Sequence, residues 1–254
     1  MGKIIAFANQ KGGVGKSTSA INIAAEVGAL GKKVLLVDND PQGNASSGVG
    51  VFNKRNVKES TYSALMEPAT VSDAIQKTEF ESLDIMPSNI NLAGAEIELI
   101  DMDARHKRLK MALDLIKDEY DYIFIDCPPT LGLLTVNAIV AADGIIIPMQ
   151  CEYFALEGLA QLTVSIKKVQ QLYNPHLSLI GILITMYNGR LNLSMQVMSE
   201  LKKYYGDKIF KTLITRNVRL SEAPSYGQPI RYFDKHSKGA QAYTDVTKEI
   251  LERI

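Results

Sequence analysis

The segment Lys11-Gly12-Gly13-Val14-Gly15-Lys16-Ser17-Thr18 gathers three glycines, two lysines and two hydroxyls into eight residues. Glycines let a backbone curl until successive N–H groups point at one anion, and a helix that starts there adds its positive end. In such a loop Lys16 neutralises β- and γ-phosphate charge, and the Ser17 hydroxyl ligates Mg²⁺. Two acidic stretches suit the same chemistry. Val37-Asp38-Asn39-Asp40-Pro41-Gln42-Gly43-Asn44 places Asp40 just beyond one apolar run, and Ile123-Phe124-Ile125-Asp126-Cys127-Pro128-Pro129 places Asp126 at the end of another. Asp126 fits the holding of Mg²⁺, directly or through its water shell, and Asp40 fits the positioning of an attacking water. Asp38 lies nearer its strand, where it would hold either the following loop or the magnesium shell. A lone aspartate at a strand end is more often a turn cap, but a phosphate loop in the same chain favours chemistry. The reaction implied is phosphoryl transfer to water, with lysines stabilising the equatorial charge. The three histidines are scattered, and Cys127 and Cys151 form no CxxC pair, so no zinc or disulfide framework competes.

These residues need a scaffold that sets strand ends side by side. Residues 3–9 read as a buried strand, 10–15 as the glycine-rich loop, 16–30 as a helix closed by Gly31, and 34–38 as a second buried strand. The same alternation returns as strands over 122–126, 145–149, 179–186 and 209–214, and helices over 132–142, 156–172, 193–205 and 240–254. Between 44 and 119 the pattern is more helical and irregular, with one strand over 83–86. Strands apolar on both faces predict a parallel sheet covered by helices. No linker or internal repeat divides the chain, so the expectation is one doubly wound α/β domain over 1–254.

The 254-residue chain carries 28 Lys+Arg and 28 Asp+Glu, a net charge of zero. The charge is uneven: from Arg190 onward there are 12 basic and 7 acidic residues, leaving 16 and 21 before it. Such asymmetry fits either a nucleic-acid surface or chance imbalance on solvated faces. No apolar run approaches the roughly 18–20 residues that span a bilayer. The first apolar run stops at Asn9-Gln10 without a signal-peptide pattern, and Ala6 breaks the myristoylation pattern that follows Gly2. A cytoplasmic protein is expected.

The loop departs from G-x-x-x-x-G-K-[ST]: Gln10 stands at the first glycine position and Lys11 follows it. Lys-Gly-Gly-Val-Gly-Lys-Ser is the deviant Walker A signature. It resembles a family of dimerising ATPases that includes partition ATPases, the division-site regulator of the Min system and the nitrogenase iron protein. Longer strings resemble the ParA/Soj-type partition branch through nearly the whole chain. They are Asp40-Pro41-Gln42-Gly43-Asn44, Leu92-Ala93-Gly94-Ala95-Glu96, Gln150-Cys151-Glu152-Tyr153, Ala155-Leu156-Glu157-Gly158-Leu159, and Arg216-Asn217-Val218-Arg219-Leu220-Ser221-Glu222-Ala223-Pro224-Ser225.

The resemblance implies a P-loop ATPase using ATP/ADP and Mg²⁺. It makes Lys11 a residue that reaches across a sandwich homodimer to the partner's phosphates, alongside Lys16 and Asp40 in the catalytic set. It brings Arg216 and Asn217 beside the adenine and Glu152 to the partner's nucleotide. Thr215 stands where family members usually carry proline, which bears on the adenine loop. The family binds double-stranded DNA non-specifically as its ATP dimer. Arg190 and Arg219 match its DNA-contacting arginines, and Lys202, Lys203, Arg231, Lys235 and Lys248 extend the candidate patch. A centromere-binding partner of the ParB/Spo0J type would stimulate hydrolysis, and the ATP form would associate with the nucleoid. The alternative is a Min-like or other regulatory ATPase acting through protein or membrane contacts. Against a membrane anchor, Tyr243, Val246, Ile250 and Ile254 recur at helical spacing that suits a core face. The first strand of the chain is its phosphate strand, so no N-terminal helix-turn-helix domain is expected.

Overall fold

The computed structural model describes residues 2–254. They form one seven-stranded sheet in the order β3-β4-β2-β5-β1-β6-β7. The strands are β1 (Lys3–Phe7), β2 (Val34–Asp38), β3 (Gln76–Lys77), β4 (Leu83–Met86), β5 (Tyr122–Asp126), β6 (Gly144–Met149) and β7 (Ser178–Ile184). All neighbours run parallel except β3, which is antiparallel to β4 at the edge. The helices are α1 (Lys16–Gly28), α2 (Asn44–Gly48), α3 (Thr61–Met66), α4 (Leu92–Glu98), α5 (Arg108–Ile116), α6 (Leu133–Ala141), α7 (Ala155–Tyr173), α8 (Asn192–Tyr205), α9 (Val218–Glu222), α10 (Ile230–Phe233) and α11 (Lys238–Leu251).

Side chains alternate across a strand, so each central strand supplies two cores. Ile4, Ala6, Leu35, Val37, Ile123 and Ile125 face one layer, where they meet Leu113 of α5, Leu134 of α6 and Leu162 of α7. Ile5, Phe7, Val34, Leu36 and Phe124 face the other, against Ile23 of α1 and Tyr243, Val246 and Ile250 of α11. Continuous apolar strands are thus apolar because both faces are covered. The closing helix turns its apolar stripe to the core, as its spacing predicts, and Ile254 packs at the margin. Among the described residues no helix is long and apolar enough to cross a membrane.

Register then decides the chemistry. Phe7 lies opposite Asp126, and Asp38 lies opposite Asp126 on its other side. The ends of β1, β5 and β2 therefore bring residues over a hundred positions apart into one row. At such carboxyl ends of an open parallel sheet, ligands collect.

Two features differ from the sequence expectation. The edge strand β3 was not foreseen, since two residues carry no periodicity. Residues 209–214 are not a ladder strand; they run beside β7 through isolated bridges of Ile182 with Ile209 and Tyr187 with Thr215. Phe210 N–H and Ile214 N–H donate to Ile182 O and Ile184 O at 3.1 and 2.9 Å. Between them, the Glu249 carboxylate of α11 accepts the N–H groups of Lys211 (2.9 Å) and Thr212 (3.2 Å), so the chain bows from the sheet to meet a side chain. Glu249→Ala strips both donors of their partner. It is expected to cost about 1 kcal/mol, roughly 2–4 °C in thermal midpoint, with most of the loss recovered in Glu249→Gln.

Candidate functional site

β1 ends at Phe7 and α1 begins at Lys16 with Gly15 at its N-cap. Gly13 and Gly15 have φ of 72° and 86°, a left-handed backbone that side chains other than glycine resist. Val14 is buried, so its side chain anchors the loop and only its backbone remains for a ligand. Gly12, Gly13, Gly15, Lys16, Ser17 and Thr18 line a cleft of about 430 Å³ whose other wall includes Asp40, Gln42 and Pro129. The first-turn N–H groups of α1 open toward this cleft, the arrangement that binds phosphate. Lys16 is 6% exposed and donates to the Lys11 carbonyl at 3.1 Å. Burial pushes its ammonium below the usual lysine range, opposed by Asp126 and Asp40.

Asp126 is completely buried, and neither of its oxygens has a hydrogen-bond partner among the described residues. Burial raises its proton affinity well above the ordinary carboxylate value, and the adjacent Asp38 adds to the effect. A buried carboxylate without donors is costly unless a cation arrives. With the Ser17 hydroxyl beside it, Asp126 has the hard-oxygen chemistry that suits Mg²⁺, an ion that keeps waters and phosphate oxygens as its other ligands. Among the described residues no cluster of three or more His, Cys, Asp or Glu side chains forms a metal cage.

Asp38 is employed differently. Its Oδ2 accepts the Ser46 N–H (2.7 Å) and hydroxyl (2.6 Å), and its Oδ1 accepts the Asp40 N–H at 3.3 Å. Ser46 Oγ in turn accepts the Ser88 N–H, and the Thr61 hydroxyl donates to the Asp38 carbonyl. These hydrogen bonds tie Asp38 to the following loop and α2. Burial pushes its pKa up to about 6. Asp40 folds a tight turn by accepting the Gln42 N–H at 2.9 Å and stands on the cleft wall. Cys127 is buried in the core.

Arg216 and Asn217 line a second cleft of about 270 Å³ with Thr215, Met186, Pro224 and Tyr243. Gly15 and Thr18 belong to both clefts, so one ligand could run from the phosphate loop to this wall. The Asn217 Oδ1 is occupied as the cap of α9, accepting the Arg219 N–H at 2.8 Å. Lys11 is half-exposed and ion-paired with Glu152 of the same chain. The reason is strand order: β1 and β6 are neighbours, so the residues just past them meet.

The basic residues expected to meet DNA do not form one free patch. Arg219 is paired with Asp234 (2.9 Å) and Glu222 (2.7 Å) and lies over the Phe233 ring. Arg231 is paired with the buried Glu26 at 2.9 Å, Lys203 with Glu200 at 2.5 Å, and Lys248 stands 3.8 Å from Asp245. Among the described residues Arg190, Lys202 and Lys235 have no ion pair; Arg190 shares a cavity with Arg216 and Lys238, and Lys235 another with Arg231. Sequence reading did not single out Thr185, Met186 or Ser46 at the site. They are uncharged residues whose meaning depends on strand ends meeting in space.

A family model described as an AAA domain matches residues 2–179. The sporulation initiation inhibitor protein Soj of Bacillus subtilis (strain 168) is 54% identical over 250 residues, 98% of each chain. The chain belongs to the Soj/ParA family of partition ATPases. The chromosome-partitioning ATPase Soj of Treponema pallidum (strain Nichols) is 48% identical, covering 100% of this chain and 98% of its own. A solved structure of cobyrinic acid a,c-diamide synthase from Mycobacterium smegmatis with bound ADP and magnesium superposes with a TM-score of 0.86 at 36% identity. It covers 99% of this chain and 95% of that one. The doubly wound, mostly parallel P-loop fold expected from sequence is therefore the observed one.

Two stability predictions follow from the buried carboxylates. Asp126→Asn removes an unpartnered charge, so the nucleotide-free variant should melt above the wild type at pH about 8; an equal or lower midpoint would show the carboxylate to be satisfied. For Asp38, a native pKa of about 6 against an ordinary 3.8 means that the native state binds more protons than the unfolded chain in that window. Its contribution to stability is then full below the window and lost as pH rises through it. Urea midpoints of wild type and Asp38→Asn should diverge in the variant's favour as pH rises across the window.

Proposed function

We propose that this chain is an ATP-driven partition switch, one P-loop ATPase domain that hydrolyses ATP to ADP and phosphate. The observation that carries the reading is the orphaned Asp126 carboxylate buried beside Ser17 and Lys16 of the phosphate loop, with Asp40 on the wall of the cleft that these two residues line. Glycine-loop N–H groups and the start of α1 would hold the phosphates, and Lys16 would move from the Lys11 carbonyl to their charge. Ser17 and Asp126 would hold Mg²⁺, which supplies charge neutralisation across the β- and γ-phosphates. Asp40, fixed by its own turn, would orient the attacking water and accept hydrogen bonding from it. Arg216 and Asn217 would flank the base, with the Asn217 Oδ1 kept for the helix cap and its amide donor left for the ligand.

ATP would also drive pairing of two copies in a sandwich. Lys11 would then exchange its own Glu152 for the partner's phosphates, an exchange made cheap by the half-exposure of both side chains. The paired form would coat double-stranded DNA through Arg190, Arg219, Lys202, Lys203, Arg231, Lys235 and Lys248. Two weak patches on one duplex gain by multivalency. Arg219 would trade Asp234 and Glu222 for phosphate, again between solvent-exposed partners. A ParB/Spo0J-type centromere-binding protein would stimulate hydrolysis and release the DNA, so that the cytoplasmic protein is held on the nucleoid only while ATP is bound.

Gel shift of random-sequence DNA tests this reading: a shift with ATP, none with ADP, and steep loss with added salt. A wild type that shifts DNA equally with either nucleotide contradicts it. Asp40→Ala should lose hydrolysis by roughly 100-fold or more while ATP-dependent dimers persist in sedimentation. Lys11→Ala should bind nucleotide yet stay monomeric, and an intact ATP dimer would remove the cross-subunit role.

A further inference from the structure

Two side chains tether the outer face of the phosphate loop, and neither takes part in the scheme above. Gln150, one residue past β6, donates from Nε2 to the Gly13 carbonyl at 2.8 Å. Thr185, one residue past β7, donates from Oγ1 to the Val14 carbonyl at 2.7 Å. Thr185 is 2% exposed, and its own N–H is bonded to the Met149 carbonyl at 2.8 Å, so its hydroxyl is held by the sheet. Across a trans peptide, the C=O of one residue and the N–H of the next point in opposite directions. A carbonyl captured from outside the loop therefore turns the following N–H inward. The Gly13 tether thus sets the Val14 N–H, and the Val14 tether the Gly15 N–H, on the side opposite the tethers, in a loop whose Gly13 and Gly15 line the cleft. The adjoining glycines, with φ of 72° and 86°, are the joints at which these peptide planes would otherwise turn over.

We propose that Gln150 and Thr185 are positioning residues that preset the anion cradle before any ligand arrives, by fixing two consecutive peptide planes from the ends of β6 and β7. The proposal rests on the nucleotide-binding reading and adds to it the source of the loop's order. Preset donors avoid the reorganisation that a floppy glycine loop would otherwise undergo on binding. The effect falls on the diphosphate, because both tethers end on phosphate-loop carbonyls; Thr185 also lines the cleft of Arg216 and Asn217, and the shape-keeping valine leaves that wall in place.

The test is calorimetric titration of the full chain with ADP and with phosphate-free adenosine, for wild type, Thr185→Val, Thr185→Ser and Gln150→Leu. Valine keeps the shape of Thr185 and deletes only the donor, whereas serine keeps the donor. Thr185→Val and Gln150→Leu should each bind ADP roughly fivefold more weakly. Thr185→Ser should stay near wild type, and adenosine binding should be unchanged throughout. ADP affinity unaltered in both donor-deleting variants overturns the proposal, as does a parallel loss of ADP and adenosine, which marks general damage to the cleft. A wild type that fails to bind ADP instead defeats the nucleotide reading itself. Should Thr185→Val not fold, Gln150→Leu carries the test from a partly exposed position.

Discussion

The carboxylate of Asp126 ends β5 in full burial with no donor on either oxygen, and the molecule is arranged around that unfilled demand. Burial and the neighbouring Asp38 favour the protonated form, while a cation between Asp126 and Ser17 would favour the ionised one. Lys16 meets the same conflict with opposite sign: burial disfavours its charge, and Asp126 and Asp40 favour it. A phosphate and its metal would relieve both conflicts. The proposed switch would draw on that difference, since a ligand shifts a protein only by what it adds to one state over another.

The surroundings turn this local demand into a shape. Asp38 gathers the Ser46 hydroxyl and backbone and the Asp40 N–H, so the stretch carrying Asp40 is tied to the end of β2. Lys54 clamps the same turn from above, donating to the Gln42 and Gly43 carbonyls at 2.8 and 3.0 Å. Further along, Gly50 and Phe52 pack against Gly227, in the segment that follows Arg219. The ends of β1, β2 and β5, paired in register, hold the base of this arrangement together.

The zero net charge of the chain describes no surface. Four of the seven basic residues expected at DNA lie within reach of acidic partners, among them Arg219, which has two. Exposed ion pairs of this kind contribute little to stability, so they hold side chains in place without preventing exchange for another anion. The pair of Arg231 with the buried Glu26 is different, because Glu26 would be left charged and dry if the arginine left. Arg231 is on this ground the candidate least free to move.

Local chemistry was legible in the residues themselves. Glycine spacing announced the phosphate loop, unbroken apolar runs announced strands covered on both faces, and periodic Tyr243, Val246 and Ile250 announced a core-facing last helix, because each signal is carried by neighbours in sequence. Asp38 remained ambiguous, since the Ser46 hydroxyl that it accepts comes from eight residues further along the chain and is not announced by its own strand end. The strand expected over residues 209–214 fails because Glu249, from the closing helix, takes N–H groups that a ladder would use. Lys11 meets Glu152 because β1 and β6 are neighbours, and Thr185 meets Val14 because β7 lies one strand further on. The sequence by itself determined which groups could do chemistry and most of the segments that would be strands or helices. Tertiary structure alone decided which groups meet, since strand order and register bring together residues such as Val14 and Thr185, 171 positions apart, and no local pattern records that distance.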